Sequence, residues 1–263
     1  MKIATWNVNS LKVRLPHVLE WLAQNRPDVL CLQETKQEDV NFPMAVLNAA
    51  GYQTTFSGQK TYNGVAILSL AAQENIQVGI PEFEDPQKRV LALTVQGIRV
   101  VNVYVPNGQS LDSDKYQYKL SWLKALTAWL EAEVKAHPQL ILLGDYNIAP
   151  EDRDVYDPAA WVGQVLVSEP ERAAFQGLIR LGLHDAFRLF EQAEKSFSWW
   201  DYRMNAFRRN LGLRIDHILV STPLVSSCKA VHIDREIRKG ERPSDHVPVL
   251  LELQTKPQDR PTA

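Results

Sequence analysis

The sequence predicts an α/β fold in which β-sheets are covered by helices. Three observations carry that expectation. Short apolar runs rich in β-branched residues alternate with amphipathic runs from end to end. Both hairpin-like and strand–helix connections occur among them. No low-complexity linker, solenoid repeat or composition break divides the chain, so one domain over 1–254 with a tail at 255–263 is expected.

Taken in order, "KIATWNV" reads as a strand, and "LKVRLPHVLEWLAQN" as a helix with Leu15, Val18, Leu19 and Leu22 on one face and Pro16 in its first turn. "PDVLCLQE" and "GVAILSL" are short buried strands. "RVLALTVQGIRVVNVYV" reads as a hairpin turning near Gln96-Gly97. "DKYQYKLSWLKALTAWLEAEVKAH" is a long amphipathic helix ended by Pro138. The strand "LILLGD", a helix over "EPERAAFQGLIRLGL", and the strands "LRIDHILVS" and "PVLLELQ" complete the series.

A hydrophobic share of 45% suffices for a sizeable core, and the net charge of −2 argues against a protein that binds polyanions by global charge. Any phosphate contact must then come from a local patch. Two cysteines, Cys31 and Cys228, make neither a disulfide framework nor a zinc site, and Cys31 is expected to pack as a small hydrophobe. The N-terminal stretch has no signal-peptide core and no run reaches membrane-span length, so a reduced, cytoplasmic setting is expected.

Polar residues interrupt the strands in a pattern. Asn7 and Asn9 end the first strand, Glu34 the second, and Asp145 and Asn147 the strand "LILLGD". Asp216 and His217 precede "ILV", and Asp245 and His246 precede "VPVLLEL". If the last two strands run antiparallel to the others, all these groups reach one sheet edge, where function is commonly grafted onto a scaffold. Carboxylates and amide oxygens are hard donors that suit Mg²⁺ or Mn²⁺ rather than zinc. Alternation along a strand turns Asp245 and His246 apart, so His246 is expected to take Asp216 as its acid while Asp245 goes to the metal.

"ATWNVNSL", "LQETK", "NVYVPNG", "LLGDYNIAP", "LRIDHILVS" and "SDHVPV" stand in the order found in the exonuclease III family of abasic-site endonucleases, within the DNase I-like superfamily, which the chain resembles from Lys2 to about Leu253. The resemblance implies a four-layer α/β sandwich of two packed, mainly antiparallel sheets. It implies Glu34 as principal metal ligand with Asn7 and Asp245, and with Asn9 at a position that is often Asp. Asp145 matches the residue that activates water and Asn147 the one that orients it. Tyr104 matches the tyrosine at the scissile phosphate, and His246, held by Asp216, the group that stabilises phosphoryl charge.

"FSWWDYRMNAFRRN" interleaves aromatics and arginines. By resemblance, Trp199 walls a pocket for a base-free deoxyribose, Leu213 stands where some relatives carry Trp, and Arg203 sits where a side chain enters the duplex. Lys12, Arg14, Lys36, Lys115 and Lys119 follow motif-bearing strand ends and are expected to form a phosphate track. The resemblance thus implies a Mg²⁺ enzyme (Mn²⁺ substituting) that cuts duplex DNA 5' to abasic sites and trims blocked 3' ends; a monomer is the default expectation for an enzyme that must wrap one side of a duplex. A phosphatase or lipase of the same superfamily, and a silent DNA-binding module, are the competing expectations.

Overall fold

Alternation along the strands sets the layers. In the computed structural model, which describes residues 1–254, Ile3 and Cys31 point to one face of their strands while Ala4, Trp6, Leu30 and Leu32 point to the other. The first half contains β1 (Lys2–Asn7), α1 (Leu11–Asn25), β2 (Val29–Gln33), α2 (Met44–Ala49), β3 (Gln53–Ser57), β4 (Val65–Ser69), β5 (Glu74–Val78), β6 (Val90–Val95), β7 (Ile98–Tyr104) and α3 (Asp114–Ala136). The second contains β8 (Leu140–Asp145), α4 (Pro158–Trp161), α5 (Glu169–Arg180), β9 (Leu183–Asp185), β10 (Trp199–Trp200), α6 (Ala206–Arg209), β11 (Gly212–Leu213), β12 (Asp216–Ser221), α7 (Thr222–Val225), β13 (Cys228–Ile233) and β14 (Val249–Leu253). The tail expected at 255–263 lies outside the described residues.

Two six-stranded sheets form, in the orders β13-β14-β1-β2-β4-β3 and β5-β6-β7-β8-β12-β9. Ile3, Val29, Ile67, Leu93, Ile141, Leu143, Ile218 and Leu251 fill the space between them. On the outer face of the first sheet, Val18, Trp21 and Leu22 of α1 pack on Trp6 and Leu30. On the outer face of the second, Trp122, Leu126 and Leu130 of α3 and Phe175 and Leu178 of α5 do the same. The result is the expected four-layer sandwich. Leu126 is fully buried, so Leu126→Ala would cost about 2–5 kcal/mol.

Strand directions bring the motifs together. β1 and β2 run parallel, as do β7 and β8, while β14 runs antiparallel to β1 and β12 antiparallel to β8. The polar ends of the forward strands and the polar starts of the reversed ones therefore share one edge. A buried polar key fixes the two sheets against each other: Gln33 donates to Asn102 Oδ1 at 2.7 Å and Asn102 donates to the Leu32 and Ala66 carbonyls.

Some boundaries differ from expectation. Pro16 lies in the second turn of α1, beyond the first-turn position, and deprives the Lys12 carbonyl of its i+4 donor. α5 stops at Arg180, and the last residue of its apolar run, Leu183, opens β9 instead. "LRIDHILVS" is divided: Gly212–Leu213 pair with Trp199–Trp200, and the long strand begins at Asp216. The Gln96-Gly97 turn is present with both residues at positive φ, 50° and 78°, as a two-residue hairpin turn demands.

Candidate active site

The site stands where the two sheets meet at their common edge. Asn7 and Glu34 come from the end of the first sheet, and Tyr104, Asp145 and Asp216 from the second. The loops leaving these strands turn sharply: Asn9, Glu34, Lys36 and Asn147 all have left-handed backbone, with φ of 42°, 50°, 51° and 48°. Asn tolerates this readily, whereas Glu34 and Lys36 hold it at a cost of about 1–2 kcal/mol each. Gly144 permits the close approach of β8 to β7, because a Cβ there would lie 1.8 Å from the Val103 carbonyl oxygen.

His246 is paired with Asp216 as expected: Nδ1 lies 2.9 Å and 3.1 Å from its two carboxylate oxygens. Asp216 also accepts from the Ser198 hydroxyl at 2.6 Å, and that hydroxyl receives the Ile215 and Asp216 amides. Burial opposes a charge on the imidazole, but Asp216 and Asp145 outweigh it and lift His246 to about 10, so it is cationic at neutral pH. Its backbone is pinned from below by the Trp6 indole N–H, which donates to the His246 carbonyl.

Asp145 and Asn147 face the same space. Asp145 accepts from the Asn147 amide at 2.9 Å, from Asn7 Nδ2 at 2.8 Å and from Asn147 Nδ2 at 3.2 Å, and its Oδ2 stands 3.7 Å from His246 Nε2. Burial raises its carboxyl to about 7; His246 restrains that rise and Asp216 adds to it. Asn147 is steadied by Asn107, whose amide donates to its Oδ1 at 3.1 Å. Tyr104 is buried to 9% exposure, with the Arg89 guanidinium 4.5 Å over its ring. Desolvation, then the Glu34 carboxylate, push its phenol well above the usual value.

One carboxylate oxygen each of Glu34 and Asp145 and a ring nitrogen of His246 lie within 4.8 Å of one another. The imidazolium is not available as a donor, which leaves oxygens and makes the set suited to a hard divalent cation. A cation is already accepted at the Glu34 side: Lys36 Nζ sits 2.9 Å from Glu34 Oε2 and 2.6 Å from Asn9 Oδ1. Asn7 and Asp245, read from the sequence as metal ligands, are engaged by protein groups in this structure. The Asn7 oxygen faces away, accepting the Asn9 amide, while its Nδ2 bridges Glu34 and Asp145 as a donor. Asp245 does not join Glu34; its oxygens accept from Asn9 Nδ2 and the Trp199 indole, each at 3.0 Å. The expected separation of Asp245 from His246 holds, although both precede β14 in irregular chain and not in a strand.

Around these groups is a cleft of about 680 Å³ lined by Tyr104, Asn147, Leu166, Trp199, Ile215 and Arg203, among others. The Trp199 segment is stitched into place: Trp200 N–H donates to the Asp245 carbonyl and Val247 N–H to that of Ser198. Leu213 is not a wall of the cleft. It is fully buried against Val155 and Ile215, and Ile215 takes the wall position instead. Arg203 is 85% exposed at the rim and paired with Asp201.

The expected phosphate track is only partly assembled. Lys36 faces inward to Glu34. Lys119 is fully buried and ion-paired with Glu171, and Arg14 is engaged by Tyr202 and the Pro243 carbonyl. Lys12 and Lys115 are exposed but do not line the cleft. Ser198, Asn107, Leu166 and Ile215 were not found from the sequence; only Asn107, in a Pro-Asn-Gly turn, carried a local signal.

A cationic His–Asp pair, a buried acid–amide pair and a hard-oxygen cation site across two packed sheets define a hydrolase of phosphate esters. The chain belongs to the Endonuclease/Exonuclease/phosphatase family, whose model matches residues 4–246, and it is a nuclease. It is 38% identical to exodeoxyribonuclease III of Haemophilus influenzae over 96% of this chain and all of that protein. It is similar to NExo from Neisseria, described as a 3' phosphatase bound to product DNA hairpin, at 50% identity and TM-score 0.95 over 97% of this chain and 100% of the other. An AP endonuclease from Archaeoglobus fulgidus matches at 40% identity and TM-score 0.94, with 97% and 100% covered.

Proposed function

We propose that this chain is a DNA-repair phosphodiesterase that cuts duplex DNA 5' to abasic sites and clears blocked 3' ends, acting as a monomer in the cytoplasm. The observation that carries the reading is the His246–Asp216 pair facing Asp145 and Asn147 in a cleft walled by Trp199. Asp145 accepts the proton of the attacking water, and its elevated carboxyl suits a base working near neutrality. Asn147 orients that water. The His246 imidazolium and the Tyr104 hydroxyl stabilise charge on the phosphoryl oxygens. Mg²⁺ is the proposed ion, with Mn²⁺ as substitute; Glu34 would hold it, with Asn9 and Asp245 beside that position, and it would supply charge neutralisation at the phosphate and leaving oxygen. Trp199 and Ile215 wall the space for the deoxyribose, and Arg203, released from Asp201, meets the duplex.

A second weighting, toward removal of 3' blocks, is favoured by the 50% identity to a protein described as a 3' phosphatase and a 3'-5' exonuclease. The test uses two labelled duplexes, one with an internal abasic analogue and one nicked with a 3'-phosphate, each with Mg²⁺ or EDTA. Metal-dependent cutting of the first establishes incision. Turnover of the second alone leaves 3'-end processing as the activity, and turnover of neither refutes the proposal.

A further inference from the structure

Lys119 lies in α3, outside the cleft, and is 0% exposed. An ammonium has three donors, and all three are engaged. One goes to the Asn147 carbonyl at 2.7 Å, one to the Asn107 carbonyl at 3.1 Å, and the third to the Glu171 carboxylate. Asn147 and Asn107 are also joined by their side chains. The two loops that frame the water side are therefore fastened twice, in front by amides and behind by one cation.

Glu171 carries the connection further. Its Oε1 accepts the Leu166 amide at 3.0 Å, and its Oε2 accepts the Ser168 amide and hydroxyl in the capping box of α5. Leu166 lines the cleft and returns its carbonyl to the Ala149 amide at 2.7 Å. A buried ion pair adds little stability over an apolar pair of equal volume. What an apolar pair could not supply is a directed contact to each of two loop carbonyls.

We infer that Lys119, held by Glu171, is a positioning residue: it sets the backbone of Asn147 and Asn107 and, through Leu166, the cleft wall beside them. The inference rests on the reading of Asn147 as the residue that orients water. Lys119→Met alone leaves a buried unpaired carboxylate and endangers the fold, so the informative variant is Lys119→Met with Glu171→Gln. Gln keeps one acceptor for the Leu166 amide and its Nε2 can donate to the Ser168 hydroxyl, so only the contact to the Ser168 amide is given up.

Two readouts are taken on folded protein. In Mg²⁺-dependent cleavage of the 3'-phosphate or abasic duplex, kcat should fall roughly ten- to a hundredfold, the scale of a small misplacement of a reacting group. DNA affinity in EDTA should stay within about twofold, because no DNA-facing charge is altered. Independently of activity, amide hydrogen exchange over 105–109 and 145–150 should quicken while exchange in β8 and α3 stays as in the parent. A variant with parental exchange in these loops overturns the inference whatever the enzyme does. So does a turnover number unchanged per folded molecule with only a lower urea midpoint. An inactive parent whose variant still loosens those loops refutes the proposed function and leaves the tether standing.

Discussion

Asp145→Asn separates the reactive role of a carboxylate from its structural role. Burial lifts the group from 3.8 to about 7. The folded state thus binds this proton more tightly than the unfolded chain, so its contribution to stability falls as pH rises from about 4 through 7. Above that window, keeping the charge inside costs up to about 4 kcal/mol. Asparagine escapes that cost, but its amide must face donors that Asp145 accepts from Asn7 and Asn147, a mismatch worth about 1–3 kcal/mol. The variant is therefore expected to be as stable as the parent at pH 8 or more so, by up to about 3 kcal/mol. Loss of the base should lower turnover by about a hundred- to ten-thousandfold. Urea unfolding in EDTA at pH 5 and pH 8, with single-turnover cleavage in Mg²⁺, measures both. Retention of more than about a tenth of the rate would refute the assignment of the base. A stability loss at pH 8 larger than at pH 5 would refute the electrostatic argument.

Three further outcomes are expected. His217 accepts from Arg214 and donates to the Ile148 carbonyl, and burial, then Arg214, hold it down to about 3. The unfolded chain takes up this proton below about pH 6.5 while the fold refuses it, so the contribution of His217 to stability falls by about 2 kcal/mol from pH 6.5 to 5, opposing the gain from Asp145 over the same window; the stability of His217→Gln relative to the parent, from urea unfolding, should rise by about that amount between pH 6.5 and 5. Glu34→Gln should raise the Mg²⁺ concentration for half-maximal turnover at least roughly tenfold, and Asp245→Asn by less, because Asp245 reaches that side through Asn9; equal effects in a metal titration would contradict this placement. Gly144→Ala should cost roughly 3 kcal/mol, since its methyl meets the Val103 carbonyl, and thermal melting at parental temperature would show that β7 and β8 can part.

What the sequence made legible follows from the strength of local signals. Strands buried on both faces, such as "VLCLQ" and "LILLGD", announce themselves, and so does the long helix around Trp122 and Leu126. Edge strand β5, largely exposed, has no comparable pattern, and neither have the two-residue strands β10 and β11. At the site, the union of His246 with Asp216 was readable because Asp216 opens one strand and His246 shortly precedes another, and topology brings both to one edge. The inward turn of Lys119 was not, since its partner Glu171 lies 52 residues away on another helix. Nor was the burial of Leu213, which depends on how the 150–168 loop packs on it.

The neighbours of β1 carry a consequence for biosynthesis. Its one flank is β2, made almost at once, and its other is β14; Trp6 and the His246 carbonyl it holds are 240 residues apart. At about 5–20 residues per second, a ribosome needs on the order of ten to fifty seconds to close that gap. For that time an apolar strand keeps one ladder edge unpaired, a hazard that a chaperone or the ribosome surface must cover. Asp245 and His246 also emerge among the last residues of the domain. A chain cut short before them lacks both the closing strand and the imidazolium, so on the proposed mechanism interrupted synthesis yields inert polypeptide and not an unrestrained nuclease.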